Sequence, residues 1–182
     1  MLRFFLICFS LIFTSISNAN IKEKIIKNFE NIDNLQFNFE QNINGKTENG
    51  SCKLKYPKKI FCKYNVANGK ILVSDGKSLV IKTRASYYQY PLRKTPLNLI
   101  LDKEFLISKL NHLEESNVQG SYINYLIKEK DNNINIFFDN KTFNLIGWQN
   151  KDIYQNYNIT FISSIEKNIN LPKNIFKIPS QN

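Results

Sequence analysis

The stretch GKILVSDGKSLVIKTRASYYQYPLRKTP, Gly69 to Pro96, decides how the rest of the chain is read. Two apolar runs, Ile71-Leu72-Val73 and Leu79-Val80-Ile81, flank Asp75-Gly76, a dipeptide favoured in two-residue type I′ turns because both central residues take φ > 0. The spacing predicts a tight β-hairpin with Asp75 and Gly76 at its tip. In that register Leu72 pairs with Leu79 on one side, and Ile71 with Val80 and Val73 with Ser78 on the other. Both sides are apolar, so the hairpin is expected to be covered on both faces, like a barrel wall closed by a lid.

The covering element follows at once. Thr95-Pro96 is a helix start, with a hydroxyl residue at the N-cap and proline at the first helical position, where its missing N–H is no loss. In Leu97-Asn98-Leu99-Ile100-Leu101 a helix puts Leu97, Ile100 and Leu101 on one face and Leu99 off it. So short and apolar a helix does not stand alone in water. It is either an ordinary core helix or a lid over a cavity.

The first 19 residues form a separate segment. Arg3 follows the start, Phe4 to Ile16 is an apolar run, and Ser17-Asn18-Ala19 supplies small residues for cleavage, the layout of a secretory signal peptide. The run is shorter than the ~18 residues a membrane span needs. Asn20 rather than cysteine follows Ala19, which argues against lipid anchoring of the mature protein. Residues 20–182 have the length of a single domain.

That exported remainder keeps two cysteines, Cys52 and Cys62, and a pair in an oxidising compartment is expected to be bonded. Cys52, Leu54 and Tyr56 alternate, as do Ile60, Cys62 and Tyr64, with Pro57-Lys58-Lys59 as the turn between them. Pairing the cysteines puts Leu54 opposite Ile60 and makes the bridge a staple of one hairpin. A redox pair normally has two intervening residues beside a helix, which this spacing does not offer. The net charge is +10, or +9 without Arg3. The lysines are dispersed among asparagines without a run longer than two, a pattern of solubility rather than of a nucleic-acid surface.

Elsewhere the hydrophobic period identifies the elements. Ile21, Ile25, Phe29 and Ile32 recur at helical spacing over residues 20–32, and then Leu35, Phe37, Phe39 and Ile43 alternate with polar residues as a half-buried strand. Phe105-Leu106-Ile107 and Leu110 fit either a helix or a strand. Short β-like runs return at 122–127, 134–138, 143–148 and 157–165, and a last run, 174–179, reads as a closing strand ended by proline. The expected fold is α+β and mainly β: a half-open antiparallel β-barrel closed by an N-terminal helix and a central lid helix.

Catalytic signatures are missing. His112 is the single histidine, which excludes a multi-histidine metal site. There is no G-x-S-x-G elbow, phosphate-cradling glycine loop or dinucleotide fingerprint. The sequence calls for no cofactor, no metal and no enzyme.

Five segments in order resemble the outer-membrane lipoprotein carrier protein (LolA) family. They are Leu35-Gln-Phe-Asn-Phe-Glu-Gln41, Tyr56-Pro-Lys-Lys-Ile-Phe61, Ile71-Leu-Val-Ser-Asp-Gly-Lys-Ser-Leu79, Thr95-Pro-Leu-Asn-Leu-Ile100 and Phe176-Lys-Ile-Pro179. The resemblance implies a monomeric periplasmic carrier. Its partners would be acylated lipoproteins, an inner-membrane ABC-type lipoprotein-release complex and an outer-membrane lipoprotein receptor, with no nucleic acid. Alternatives on the same fold are a carrier of another lipid or polymer and the related outer-membrane receptor. On the carrier reading Phe37, Phe39, Leu54, Ile60, Leu97, Ile100 and Leu101 face an apolar cavity; otherwise they form a filled core. The position matching the family's arginine before the proline is Tyr56, expected to contact the lid through its hydroxyl.

Overall fold

The computed structural model describes residues 21–113, 118–129, 132–152 and 155–181. The expected signal peptide lies outside them. Helix α1 (Ile21–Glu30) is followed by six strands: β1 (Asn34–Ile43), β2 (Lys46–Lys55), β3 (Lys59–Tyr64), β4 (Ile71–Asp75), β5 (Ser78–Lys82) and β6 (Tyr87–Pro91). A 3-10 turn (Leu92–Lys94) leads into α2 (Leu97–Ile100) and α3 (Lys103–His112), and the chain returns to β7 (Val118–Gln119), β8 (Tyr122–Glu129), β9 (Asn132–Asp139), β10 (Leu145–Lys151) and β11 (Tyr157–Lys167).

All described strands pair antiparallel in one sheet, in the order β6-β5-β4-β3-β2-β1-β11-β10-β9-β8-β7. The first and last strands of the chain therefore meet in the middle, through β1 and β11, and the helices connect the two halves. The terminal members β6 and β7 do not pair with each other, so the curved sheet is a half-open barrel, mainly β with helices inside its concavity. Inward residues from both halves, including Phe37, Leu54, Ile60, Ile123, Tyr125, Ile136 and Phe138, form one core with Ile25 and Phe29 of α1 and Leu106 and Leu110 of α3. The Phe29 ring forms T-shaped pairs with Tyr56 and Phe138, centroids 5.6 Å and 6.3 Å apart, a favourable aromatic geometry that ties α1 to both halves.

The undecided segment around Phe105 is α3: the Asp102 side chain accepts the Phe105 N–H at 3.2 Å as its N-cap, and Leu106, Ile107 and Leu110 form its buried stripe. His112 is exposed at the end of that helix, with Nδ1 2.7 Å from the Ser108 carbonyl oxygen.

Three expectations need correction. The central hairpin is one pair out of the expected register, with Val73 opposite Val80 and Leu72 opposite Ile81. Its loop is Gly76-Lys77 rather than Asp75-Gly76, and Gly76 alone in it takes a positive φ, of 99°. Asp75 stays in the strand because its carboxylate accepts the backbone N–H groups of Lys77 and Ser78, both at 2.8 Å. Burial opposes ionisation there, but those donors hold its carboxyl below the usual range. Because the slip moves pairs by two positions in sum, every side chain keeps its expected face.

The second correction concerns Thr95. Its hydroxyl donates to the Leu92 carbonyl at 2.8 Å instead of capping α2, beside the Thr95 backbone N–H that bonds the same oxygen at 2.9 Å. Third, residues 174–179 form no strand. Asn174 has φ 65°, a left-handed conformation that breaks an extended run. This C-terminal stretch is tied at one end by the Ile169 N–H to Asn34 Oδ1 (2.9 Å) and at the other by Lys82 Nζ to the Ser180 carbonyl (2.7 Å). It therefore runs over the outside of the sheet, where Val73 and Val80 are 1% and 0% exposed. The hairpin is thus buried on both faces.

Candidate functional site: an apolar chamber with a polar mouth

Strand alternation builds the site. Odd residues of β1 and even residues of β2, β3 and β4 point into the barrel, and on them the composition changes with depth. Phe37 and Phe39 give way to Gln41 along β1; Leu54, Cys52 and Gly50 give way to Glu48 along β2. Ile60 and Cys62 lead to Tyr64 at the end of β3, and Leu72 leads to Lys70 before β4. On the other wall Ile162 is followed toward the same end by Thr160 and Asn158, and Trp148 by Asn150. All the polar positions lie at one end of the barrel, away from α1.

Between these walls and the start of α2 is a cavity of about 240 Å³. Phe37, Phe39, Ile60, Leu72, Leu79, Leu97 and Trp148 line its apolar part, and Gln41, Tyr64, Lys70, Asn150, Asp152, Asn158 and Thr160 its polar part. The Phe39 ring approaches Tyr64 edge-on at 4.9 Å, and it does so over Gly50. A Cβ at Gly50 would come within 2.9 Å of the Phe39 ring and 2.1 Å of the Lys63 carbonyl, so the aromatic wall depends on a missing side chain there.

The seven residues expected at a cavity divide into two groups. Phe37, Phe39, Ile60 and Leu97 stand on its wall. Leu54, Ile100 and Leu101 are buried in the same core but do not reach that wall. The four-residue helix explains this: Leu97 opens it toward the chamber, while Ile100 and Leu101 close it against α3. Cys52 and Cys62 are joined by a disulfide, directly opposite each other with Leu54 opposite Ile60, and both line the chamber.

Tyr56 does not bond the lid. Its hydroxyl is buried without a hydrogen-bond partner among the described residues, and burial pushes its pKa above the usual phenol value. The contact expected of it is made two residues later. The Lys58 backbone N–H donates to the Leu101 carbonyl at 2.8 Å, and Lys58 Nζ pairs with Asp102 Oδ2 at 3.0 Å. Lys58 is held in place in turn by the Ser74 hydroxyl, which donates to its carbonyl at 2.9 Å. The joint between α2 and α3 is thus fastened to the β2–β3 turn. The ion pair is partly solvated and worth less than about 1 kcal/mol; the backbone bond is the more specific element.

An unpaired buried hydroxyl weakens the closed form, since leaving a polar group unsatisfied costs about 1–3 kcal/mol. Tyr56→Phe is therefore expected to raise unfolding stability by about 1 kcal/mol or more, measured in urea. A fall in stability would mean that the hydroxyl makes a bond.

The fold and chamber define a class: a half-open antiparallel barrel, stoppered by helices, with an apolar interior reached through a polar end. The chain belongs to the outer membrane lipoprotein carrier protein LolA family, whose model matches residues 30–179. Among solved structures it is similar to a conserved protein from Thermus thermophilus, at TM-score 0.52 and 8% identity, covering 89% of this chain and 93% of that one. It is also similar to a LolA superfamily protein from Nitrosomonas europaea, at TM-score 0.44 and 11% identity, covering 87% and 96%. A third similar structure is a domain from Vibrio parahaemolyticus named for outer membrane lipoprotein sorting, at TM-score 0.45 and 11% identity, covering 87% and 97%. No curated protein matches the chain by sequence. Among the described residues no helix is long and apolar enough to cross a membrane, and no group of three or more histidine, cysteine, aspartate or glutamate side chains is placed to hold a metal ion.

Proposed function

We propose that this protein is a periplasmic carrier that shelters the acyl chains of lipoproteins on their way from the inner to the outer membrane. It would receive them from an ABC-type release complex and yield them to an outer-membrane receptor. The observation that carries this reading is the apolar chamber beneath Leu97, in a chain of the lipoprotein carrier family.

The chamber's size bears on how such a carrier works. At about 240 Å³ it lies below the ~300–1,000 Å³ of sites that enclose a small ligand, so several acyl chains enter only if α2 moves outward. That suits transport. Each buried CH₂ contributes ~0.8 kcal/mol, and one fully enclosed long chain would gain on the order of 10 kcal/mol and leave slowly. Opening the lid offsets part of that gain, because Ile100 and Leu101 lose packing when α2 lifts, and the cargo stays transferable.

The test is displacement of N-phenylnaphthylamine from the purified protein by a triacylated lipopeptide, with the unacylated peptide as control, together with mass spectrometry of cargo captured in the cell. Displacement by the acylated peptide alone, with lipoproteins in the captured material, is the expected result. Captured free lipid without lipoproteins would reassign the protein as a carrier of another lipid, and failure to bind the dye at all would remove the carrier reading.

A further inference from the structure

An ion pair sits inside the mouth of the chamber. Glu48 and Lys70 occupy inward positions, their side chains 13% and 18% exposed, and the Glu48 carboxylate accepts from the Lys70 ammonium. Lys70 Nζ also lies 4.1 Å from the centre of the Tyr64 ring, over its face. The Tyr64 hydroxyl donates to Gln41 Oε1 at 3.3 Å, and the Gln41 amide donates to Thr160 at 3.2 Å. A belt of polar side chains thus crosses from β2 to β11 immediately above the apolar wall.

Stability does not explain this belt. A largely desolvated ion pair is commonly no better for folding than apolar residues of the same shape, because removing both charges from water offsets their attraction. On the deeper side the inward neighbours of the belt, Phe39, Cys62 and Leu72, are apolar, so apolar residues at the belt would extend that wall without a break. What the belt does provide is donors fixed at the level where the polar end of an amphiphile would stop if its tail lay along Phe37 and Phe39. Lys70 has three N–H groups: one serves Glu48, and Tyr64 lies against one flank. A third remains for an oxygen at the mouth. Burial, reinforced by the Glu48 carboxylate, keeps the Tyr64 hydroxyl protonated and in place as a donor to Gln41.

We infer that Lys70, positioned by Glu48 and Tyr64, binds the carbonyl oxygen at the head of an acyl chain and so sets the direction in which a lipid enters the chamber. The inference rests on the carrier reading. The oxygen can come from the amide- and ester-linked chains of a lipoprotein or phospholipid, as a neutral carbonyl, or from a free fatty acid, as a carboxylate; the Lys70 ammonium donates to either, and more strongly to the anion.

The experiment compares four probes on the full chain: N-phenylnaphthylamine, hexadecanol, palmitate and a tripalmitoylated lipopeptide. The double variant Glu48→Leu/Lys70→Met removes both charges together and strands neither, and its thermal melt checks the fold. A hydrogen bond to a charged donor corresponds to a loss of about tenfold. The variant should therefore bind palmitate and the lipopeptide about tenfold more weakly, with the dye and hexadecanol unchanged. Glu48→Gln, which keeps the ammonium, should retain the preference for carbonyl-bearing probes. Equal losses for hexadecanol and palmitate, or no loss for either, would overturn the head-binding site while leaving the carrier reading intact. Loss of palmitate binding with the lipopeptide unaffected would assign the site to free lipid. Failure of the unmodified protein to bind the dye would instead remove the carrier reading on which the site depends.

Discussion

Leu101→Ala is expected to lower unfolding stability by about 2–5 kcal/mol, the range for truncating a fully buried leucine whose surroundings collapse only in part. Leu97→Ala, four positions earlier at the start of the short helix that Leu101 follows, is expected to cost no more than about 1 kcal/mol. The contrast follows from position. Leu101 is 0% exposed within the core, whereas Leu97 borders space that is already empty. In binding the order reverses: shortening Leu97 removes part of the wall an acyl tail would touch, and apolar probes should bind about tenfold more weakly, the equivalent of ~1.4 kcal/mol of lost contact. Urea melts of both variants, with dye titrations beside them, check the pair. Similar destabilisation by the two substitutions would mean that lid and core are one packed unit with no room for a guest.

The Leu101 variant has a local readout as well. The Lys58 amide is bonded to the Leu101 carbonyl, so its hydrogen exchange reports separation of the lid joint from the β2–β3 turn. If α2 opens as a unit of its own, that amide loses protection before the strands do. If the lid melts only with the barrel, the Lys58 amide and the β1–β2 ladder exchange together.

Much of the barrel was legible in the sequence because period-2 alternation is a direct consequence of strand geometry. The inward set Leu35, Phe37 and Phe39 and the pairing of Cys52 with Cys62 follow from it. The errors fall where local chemistry overrides pattern. At the Asp75 turn a carboxylate that binds two backbone N–H groups moved the loop by one residue, which the Asp-Gly signal alone does not reveal. At 174–179 a β-like run found no partner strand, because pairing is decided by the rest of the sheet. The site was only half visible. Aromatic and aliphatic inward residues announce a cavity or a core without saying which, and the short length of α2 then placed Ile100 and Leu101 in one and Leu97 in the other. Gln41, Glu48 and Lys70 were overlooked because polar residues near strand ends read as turn flanks. Their signal was present, since each stands in phase with the apolar residues of its own strand. The Lys58 contact with α2 had no such signal: it depends on a tertiary approach of two turns far apart in sequence.

Loss of the Cys52–Cys62 bridge is expected to have an effect of comparable size through a different route. The two residues face each other in the β2–β3 register, so the ladder that surrounds them stays intact when the bond is absent. What changes is the unfolded chain, which regains the freedom of a loop of sequence separation 10; the chain-entropy relation puts this at roughly 3 kcal/mol. For a domain of this size each kcal/mol moves the melting temperature by about 2–4 °C, so reduction should lower it by roughly 6–12 °C, and the double variant Cys52→Ala/Cys62→Ala, which adds no buried hydroxyl, by at least as much. Because Lys58 lies inside the closed loop and fastens the lid joint, the loss should also loosen α2, seen as faster exchange of the Lys58 amide than of amides in β9 and β10. Dye affinity measured well below the melt should change little on reduction, since two thiols at those positions keep the wall apolar beside Phe37, Phe39 and Ile60. Identical melting curves with and without reductant would show that the bridge adds nothing to the barrel, and a collapse of binding at low temperature would move the cysteines from scaffold to binding surface.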